Sequence, residues 1–166
     1  VTQKSCNAGV SGNYYESYVF APETPEALPS FVSLREHGRA VALGEGVVIT
    51  EKLARLTGLK TGDALSVEVG DGVYKSLPIA GVAENYVMHY LYMTPETYRT
   101  LFGEAAKPEL LLWNMAEGAD VNAAAEAVLR QDAVLAVLQT EDYAGNLDNL
   151  VQSISMIVVA LIVSAG

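Results

Sequence analysis

The chain has 166 residues, with 51% apolar and 18% charged residues and a mean hydropathy of +0.23. That is the size of one domain, or of two small subdomains sharing a border, and it is too apolar for global disorder. Lys and Arg number 10 against 20 Asp and Glu, so the net charge is -10 and the pI about 4.5; phosphate backbones and anionic headgroups are both repelled, and nucleic-acid binding is not expected.

Residues 5–13 (SCNAGVSGN) read as a polar, Gly-containing loop. It holds the single cysteine, Cys6, which has no second thiol for an internal disulfide. A lone thiol there could be reactive or merely a bystander near a frayed end. Residues 13–20 (NYYESYVF) alternate and are rich in aromatics, as a strand is. Pro22, Pro25 and Pro29 then punctuate an extended connection, and residues 31–34 read as a short strand. Residues 35–39 form a charged turn containing His37 and Gly38, and residues 41–49 read as strand, turn at Gly44 and Gly46, and short strand.

Thr50 is placed to cap a helix with Leu53, Ala54 and Leu56 on its apolar face and Gly58 as its stop. After a turn at Gly62-Asp63, Leu65, Val67 and Val69 alternate along a strand, Gly70 to Gly72 turn the chain, and residues 73–83 return as its hairpin partner. Pro78 belongs at an edge or a bulge of that second strand. Residues 84–93 read as an aromatic strand. Thr94 and Pro95 open a helix that stops at Gly103. Residues 109–113 (ELLLW) read as a continuous apolar strand, Asp120 caps an Ala-rich helix through Arg130, and residues 133–139 read as another buried strand. Interleaved strands and helices that include a hairpin predict an α+β fold with a mixed β-sheet, either as one unit or with subdomain borders near residues 45 and 104.

Residues 150–166 (LVQSISMIVVALIVSAG) carry no charge. A membrane-crossing helix needs about 20 apolar residues. Three readings stay open: the start of a spanning helix, a buried last helix, or an interfacial helix. Apolar character on all sides of residues 156–163 speaks against the interfacial one. Val1 is not an initiator Met, and no signal peptide follows it. The expectation is a loop domain, residues 1–149, cut from a larger membrane protein, with residues 150–166 leading into a transmembrane helix.

Catalytic machinery is scarce. The two histidines, His37 and His89, have no ligand-type residue at metal-binding spacing, so neither a metal nor a cofactor is expected. Ser11 sits in GVSGN, which is not the G-x-S-x-G elbow. Gly44, Gly46 and Gly70 to Gly72 read as turn residues rather than a phosphate cradle. Carboxylate pairs such as Glu141 with Asp142, and Asp71 near Glu68, read as solvated surface, and no calcium-loop pattern is present. The distinctive stretch is residues 84–92 (ENYVMHYLY). As a strand it places Tyr86, Met88, Tyr90 and Tyr92 on one face and Asn85, Val87, His89 and Leu91 on the other. Glu84, Asn85, Tyr86, His89, Tyr90 and Tyr92 are the candidate ligand-binding residues, since tyrosines offer large contact area at low entropic cost. The other reading is a strand whose tyrosines cover a helix and reach water with their hydroxyls.

Residues 46–69 (GVVITEKLARLTGLKTGDALSVEV) resemble the extracytoplasmic domains of FtsX-like and MacB-like ABC transporter permeases: an apolar strand, then E-K-L-A, then G-D entering a strand. Residues 79–103 are similar to the large extracellular loop of the big Gram-positive FtsX-type permeases. Gly81, Glu84, Asn85, Tyr86, His89, Tyr90, Tyr92, Met93, Pro95 and Tyr98 follow that loop's G-I-x-E-N-Y-x-x-H-Y-x-Y-M-x-P-x-x-Y pattern. The tail resembles the start of the helix that follows the loop. The likeness covers residues 46–103 and 149–166; between them it is pattern-level, and residues 1–45 match loosely. It implies a domain outside the cell membrane, joined through its helices to a separate cytoplasmic ABC ATPase, that senses a substrate or passes on ATP-driven motion and is not itself an enzyme. A peptide, lipid or protein ligand would meet it outside the cell. A stand-alone extracellular sensor module is the alternative, and a hydrolase using a serine or His89 is a third reading.

Overall fold

The structure is a computed structural model that describes residues 1–84, 88–131 and 134–137. The chain divides into two compact units, Val1–Asn114 and Met115–Gly166.

The first unit is built on a closed six-stranded barrel of mixed direction. Strands β1 (Thr2–Val10) and β2 (Asn13–Ala21) form an antiparallel hairpin in register from Thr2 opposite Ala21 to Val10 opposite Asn13. A 3-10 helix (Pro25–Ser30) and the two-residue strands β3 (Arg35–Glu36) and β4 (Arg39–Ala40) follow. Then come β5 (Val47–Thr50), α1 (Glu51–Thr57), β6 (Ala64–Gly70), β7 (Val73–Ala83), β8 (Tyr90–Tyr92) and α2 (Pro95–Phe102). Around the barrel the order is β1-β2-β8-β5-β7-β6, and β6 returns to β1 through Ala8 opposite Val67 and Gly9 opposite Ser66. β2 with β8 and β5 with β7 run parallel; the other pairs are antiparallel. Parallel neighbours need a crossover. For β5 and β7 it is α1 followed by β6.

Three hairpins turn on a residue-glycine pair with both φ angles positive: Ser11-Gly12, His37-Gly38 and Asp71-Gly72. Such turns match the right-handed twist of their strands, and glycine takes the second position without steric cost. Gly9 answers a different need. A Cβ there would run into the Asn13 carbonyl and stand 3.0 Å from the Tyr14 Cα, so only glycine lets β1 and β2 close up beside their turn.

The barrel interior holds Ala8, Val19, Val47, Ile49, Leu65, Val67, Ile79, Leu91 and Met93, closed by Leu53 from α1 and by Tyr98 and Leu101 from α2. A second core lies outside the wall, where Phe20, Val48, Ala83 and Tyr92 meet Leu28 and Leu34. This is why all four residues of β5 are buried: Val47 and Ile49 face inward while Val48 faces the second core. A strand covered on both faces reads as an unbroken apolar run.

The α+β class and the mixed sheet hold, and the sheet closes into a barrel. The β6–β7 hairpin, α1, α2 and their glycine stops stand as the sequence predicts, with Gly58 and Gly103 both left-handed. Pro78 pairs with Ala64, just outside the β5–β7 pairing, which begins at Val47 opposite Ile79 and shifts register at the next step. Several expectations are corrected. Residues 5–13 are not a loop: Cys6 lies in β1, because tertiary pairing on both edges overrides a polar, glycine-containing composition. The proline-punctuated connection coils into the 3-10 helix, and residues 31–34 form no strand. Only residues 47–49 of the stretch 41–49 lie in a strand, as the first three residues of β5. The charged turn at 35–39 is the small β3–β4 hairpin. Residues 109–113 form no strand, though the Glu109 and Leu110 N–H groups donate to the Val1 carbonyl: Leu110 and Leu112 pack against the second core while Leu111 is 77% exposed.

In the second unit, α3 (Val121–Leu129) begins as the sequence predicts, with the Asp120 carboxylate accepting from the Ala123 N–H at 2.9 Å. Residues 134–137 form no strand, and Leu135 is 98% exposed, against the expectation of a buried strand over 133–139. The expected transmembrane segment at 150–166 lies outside the described residues. Among the described residues no helix is long and apolar enough to cross a membrane.

Candidate functional site

The candidate site grows out of the parallel pairing of β2 and β8, which sets Tyr18 beside Tyr90, Val19 beside Leu91 and Phe20 beside Tyr92. Val19 and Leu91 fill the barrel. Strand alternation therefore turns the four aromatic rings outward together. Ring centroids are 6.1 Å apart for Tyr18 and Tyr90, 5.7 Å for Tyr90 and Tyr92, 5.5 Å for Phe20 and Tyr92, and 6.4 Å for Phe20 and Tyr90. The two Phe20 contacts are edge-to-face, the arrangement that ring quadrupoles favour.

The patch is graded from buried to open. Phe20 and Tyr92 are buried in the second core, Tyr18 and Tyr90 are half-buried, and Met88 is 43% exposed. The Tyr90 hydroxyl lies 3.6 Å from the Met88 sulfur. Met88 has φ +62, so the chain leaves strand geometry there, and of the described residues Met88, Tyr90 and Tyr92 only the two tyrosines lie in the strand. The Thr50 hydroxyl, expected to cap α1, instead donates toward the Met88 carbonyl at 3.4 Å. That bond ties the turn to the end of β5.

His89 belongs elsewhere. Its Nδ1 lies 3.0 Å from the Glu16 carbonyl, and its ring stands edge-on to Tyr15 at 5.9 Å. A carbonyl can only accept, so Nδ1 is the donor of this bond. Nε2 is buried and has no hydrogen-bond partner. The His89 carbonyl also accepts from the Tyr18 N–H at 2.8 Å. These bonds tie the start of β8 to β2. Glu84 is likewise committed: Oε1 accepts from the Gly38 N–H at 3.1 Å, and its own N–H donates to the Arg35 carbonyl at 2.7 Å. It anchors the β3–β4 hairpin to the end of β7. Asn85 and Tyr86 lie outside the described residues.

Of the six candidate residues, the structure thus brings Tyr90 and Tyr92 into one aromatic patch and gives Glu84 and His89 structural bonds. It adds Tyr18 and Phe20. The signal for them is the repeated aromatic-x-aromatic spacing, Tyr18-x-Phe20 and Tyr90-x-Tyr92, in two strands of matching alternation.

The open part of the patch, Tyr18, Tyr90 and Met88, offers apolar area and phenol hydroxyls, suited to contact with an aliphatic or aromatic partner. Cys6 is half-buried in β1. Burial, and secondarily the Glu68 carboxylate, push its thiol up to about 12. Among the described residues no three His, Cys, Asp or Glu side chains gather as a metal site would require. No family model and no curated protein sequence matches the chain.

Proposed function

We propose that the chain is an extracellular substrate-sensing or coupling domain of an FtsX-like ABC transporter permease. It would work with a separate cytoplasmic ABC ATPase and meet a peptide, lipid or protein ligand outside the cell membrane. The observation that carries the reading is the outward aromatic patch on the paired β2 and β8 strands. It gives the segment that resembles those permeases a recognition surface fixed to a stiff frame. Residues 46–103 supply four of the six barrel strands and α2, so the resembling stretch is one continuous structural piece. A closed barrel has no free sheet edge to fray. A push at one end is therefore carried as rigid-body motion, which is what coupling demands. The charge-free residues 150–166 supply the apolar stretch by which such a domain would join the membrane.

The test is to express the protein from its own gene, fractionate the cells, and digest intact cells with an external protease. Recovery in the membrane fraction, external cleavage within residues 1–149, and co-purification of an ATP-hydrolysing subunit are expected. Recovery in the soluble cytosolic fraction without an ATPase overturns the reading. External display without an ATPase partner leaves the stand-alone sensor module in its place.

A further inference from the structure

A hollow of about 230 Å³ lies between the start of β1 and the stretch that follows α2, and no residue of the aromatic patch lines it. Thr2, Lys4, Tyr98, Glu104, Lys107 and Glu109 line it. Lys4 and Glu104 are already paired, with Nζ 2.8 Å from Oε1, and Lys4 also sits over the Phe102 ring. Lys107 and Glu109 are exposed, and neither makes an ion pair among the described residues. The hollow therefore holds one charge of each sign outside the Lys4–Glu104 ion pair, two residues apart, with Lys107 also acting electrostatically on Glu104.

Its remaining groups are neutral hydrogen-bonding ones. Tyr98 is 3% exposed, and burial, with Lys4 opposing and Glu104 and Glu109 adding to it, holds the phenol protonated above its ordinary range. Thr2 is 5% exposed, and its Oγ1 has no hydrogen-bond partner.

We propose that this hollow binds a small zwitterion, a free α-amino acid, with its ammonium on the Glu109 carboxylate and its carboxylate on the Lys107 ammonium. Two lysines and two glutamates make the lining neutral as a whole, so a dipolar ligand is matched where a simple ion is not. The net charge of -10 repels a purely anionic ligand at long range. The volume is below the roughly 300–1,000 Å³ of sites that enclose drug-sized ligands, so the occupant is small. The proposal does not rest on the permease reading, since neither the aromatic patch nor a membrane partner enters it.

The experiment is calorimetric titration of the full chain with glycine, L-alanine and L-serine, and separately with propionate, ethylamine and glycylglycine. Saturable binding of at least one amino acid with Kd below about 1 mM is expected. Propionate and ethylamine, each carrying half of the dipole, bind at least about tenfold more weakly. Lys107→Met and Glu109→Gln each weaken the amino acid about tenfold with unchanged Tm, because both side chains are exposed. Lys60→Met, an exposed lysine outside the hollow, leaves binding unchanged. The proposal is overturned by no saturable amino-acid binding up to about 10 mM, by propionate binding as well as the amino acid, or by wild-type affinity in both charge variants. Binding of glycylglycine alone replaces the free amino acid with a peptide end.

Discussion

Leu91→Ala and Leu111→Ala remove the same atoms from opposite environments. Leu91 is 0% exposed and lies in the barrel core between β2 and β5, whereas Leu111 is 77% exposed. A buried Leu→Ala change loses the transfer energy of the removed carbons and leaves a partly collapsed cavity, about 2–5 kcal/mol in sum. Taking about 3 kcal/mol, and 4–8 °C per kcal/mol for a unit of this size, the Tm of Leu91→Ala falls by roughly 12 °C or more. Full burial of a leucine is worth about 1.5–3 kcal/mol, so the covered quarter of Leu111 accounts for at most about 0.7 kcal/mol. Urea titration followed by circular dichroism separates the two, with a large midpoint shift for Leu91→Ala, a small one for Leu111→Ala, and unchanged slopes. Equal losses would refute the reasoning. They would mean that residues 109–113 form the buried strand their composition suggests.

Cys6 should react with a disulfide reagent at pH 8 about a thousandfold more slowly than a free thiol, because burial disfavours the thiolate; labelling within seconds in the folded protein would contradict this. Gly62 has φ +93, and a Cβ added there would meet nothing within 4 Å, so Gly62→Ala should cost about 1–2 kcal/mol from backbone strain alone, and Gly62→Val more; an unchanged urea midpoint for Gly62→Val would count against the turn. Thr94→Ala removes the acceptor of the Thr97 N–H and should cost about 1 kcal/mol in the same titration. The hydrogen bond from Lys4, with its charge adding to it, holds Glu104 below the ordinary carboxylate range. Its contribution is present above that range and is lost as pH falls through the lowered value. Carboxyl NMR titration should show Glu104 returning to the ordinary range in Lys4→Met, and no change there would exclude the pairing.

Local signals carried the elements that are decided locally. Thr94-Pro95 and Asp120 start helices whose first N–H groups need an acceptor, and Gly58 and Gly103 end helices in a conformation that costs other residues more. The alternation of Leu65, Val67 and Val69 named the inward face of β6 as far as Val67, because the period of a strand is a property of its own backbone. The candidate site was half legible on the same terms. Tyr90 and Tyr92 stood out by density, but the committed bonds of Glu84 and His89 involve Gly38, Arg35 and Glu16, at least 46 residues away in the closest side-chain case.

By itself the sequence determined the mixed α+β class, the hairpin, the helices and the acidic surface, all of which follow from short-range geometry and summed charge. Only the tertiary structure decided that β1 is a strand, that the sheet closes by pairing β6 with β1, and that Tyr18 and Phe20 join Tyr90 and Tyr92. It also decided that Leu111 faces solvent while its neighbours Leu110 and Leu112 pack inward. The physical reason is common to these cases. Strand pairing and burial are energies between segments distant in sequence, and a residue's own neighbours do not contain them.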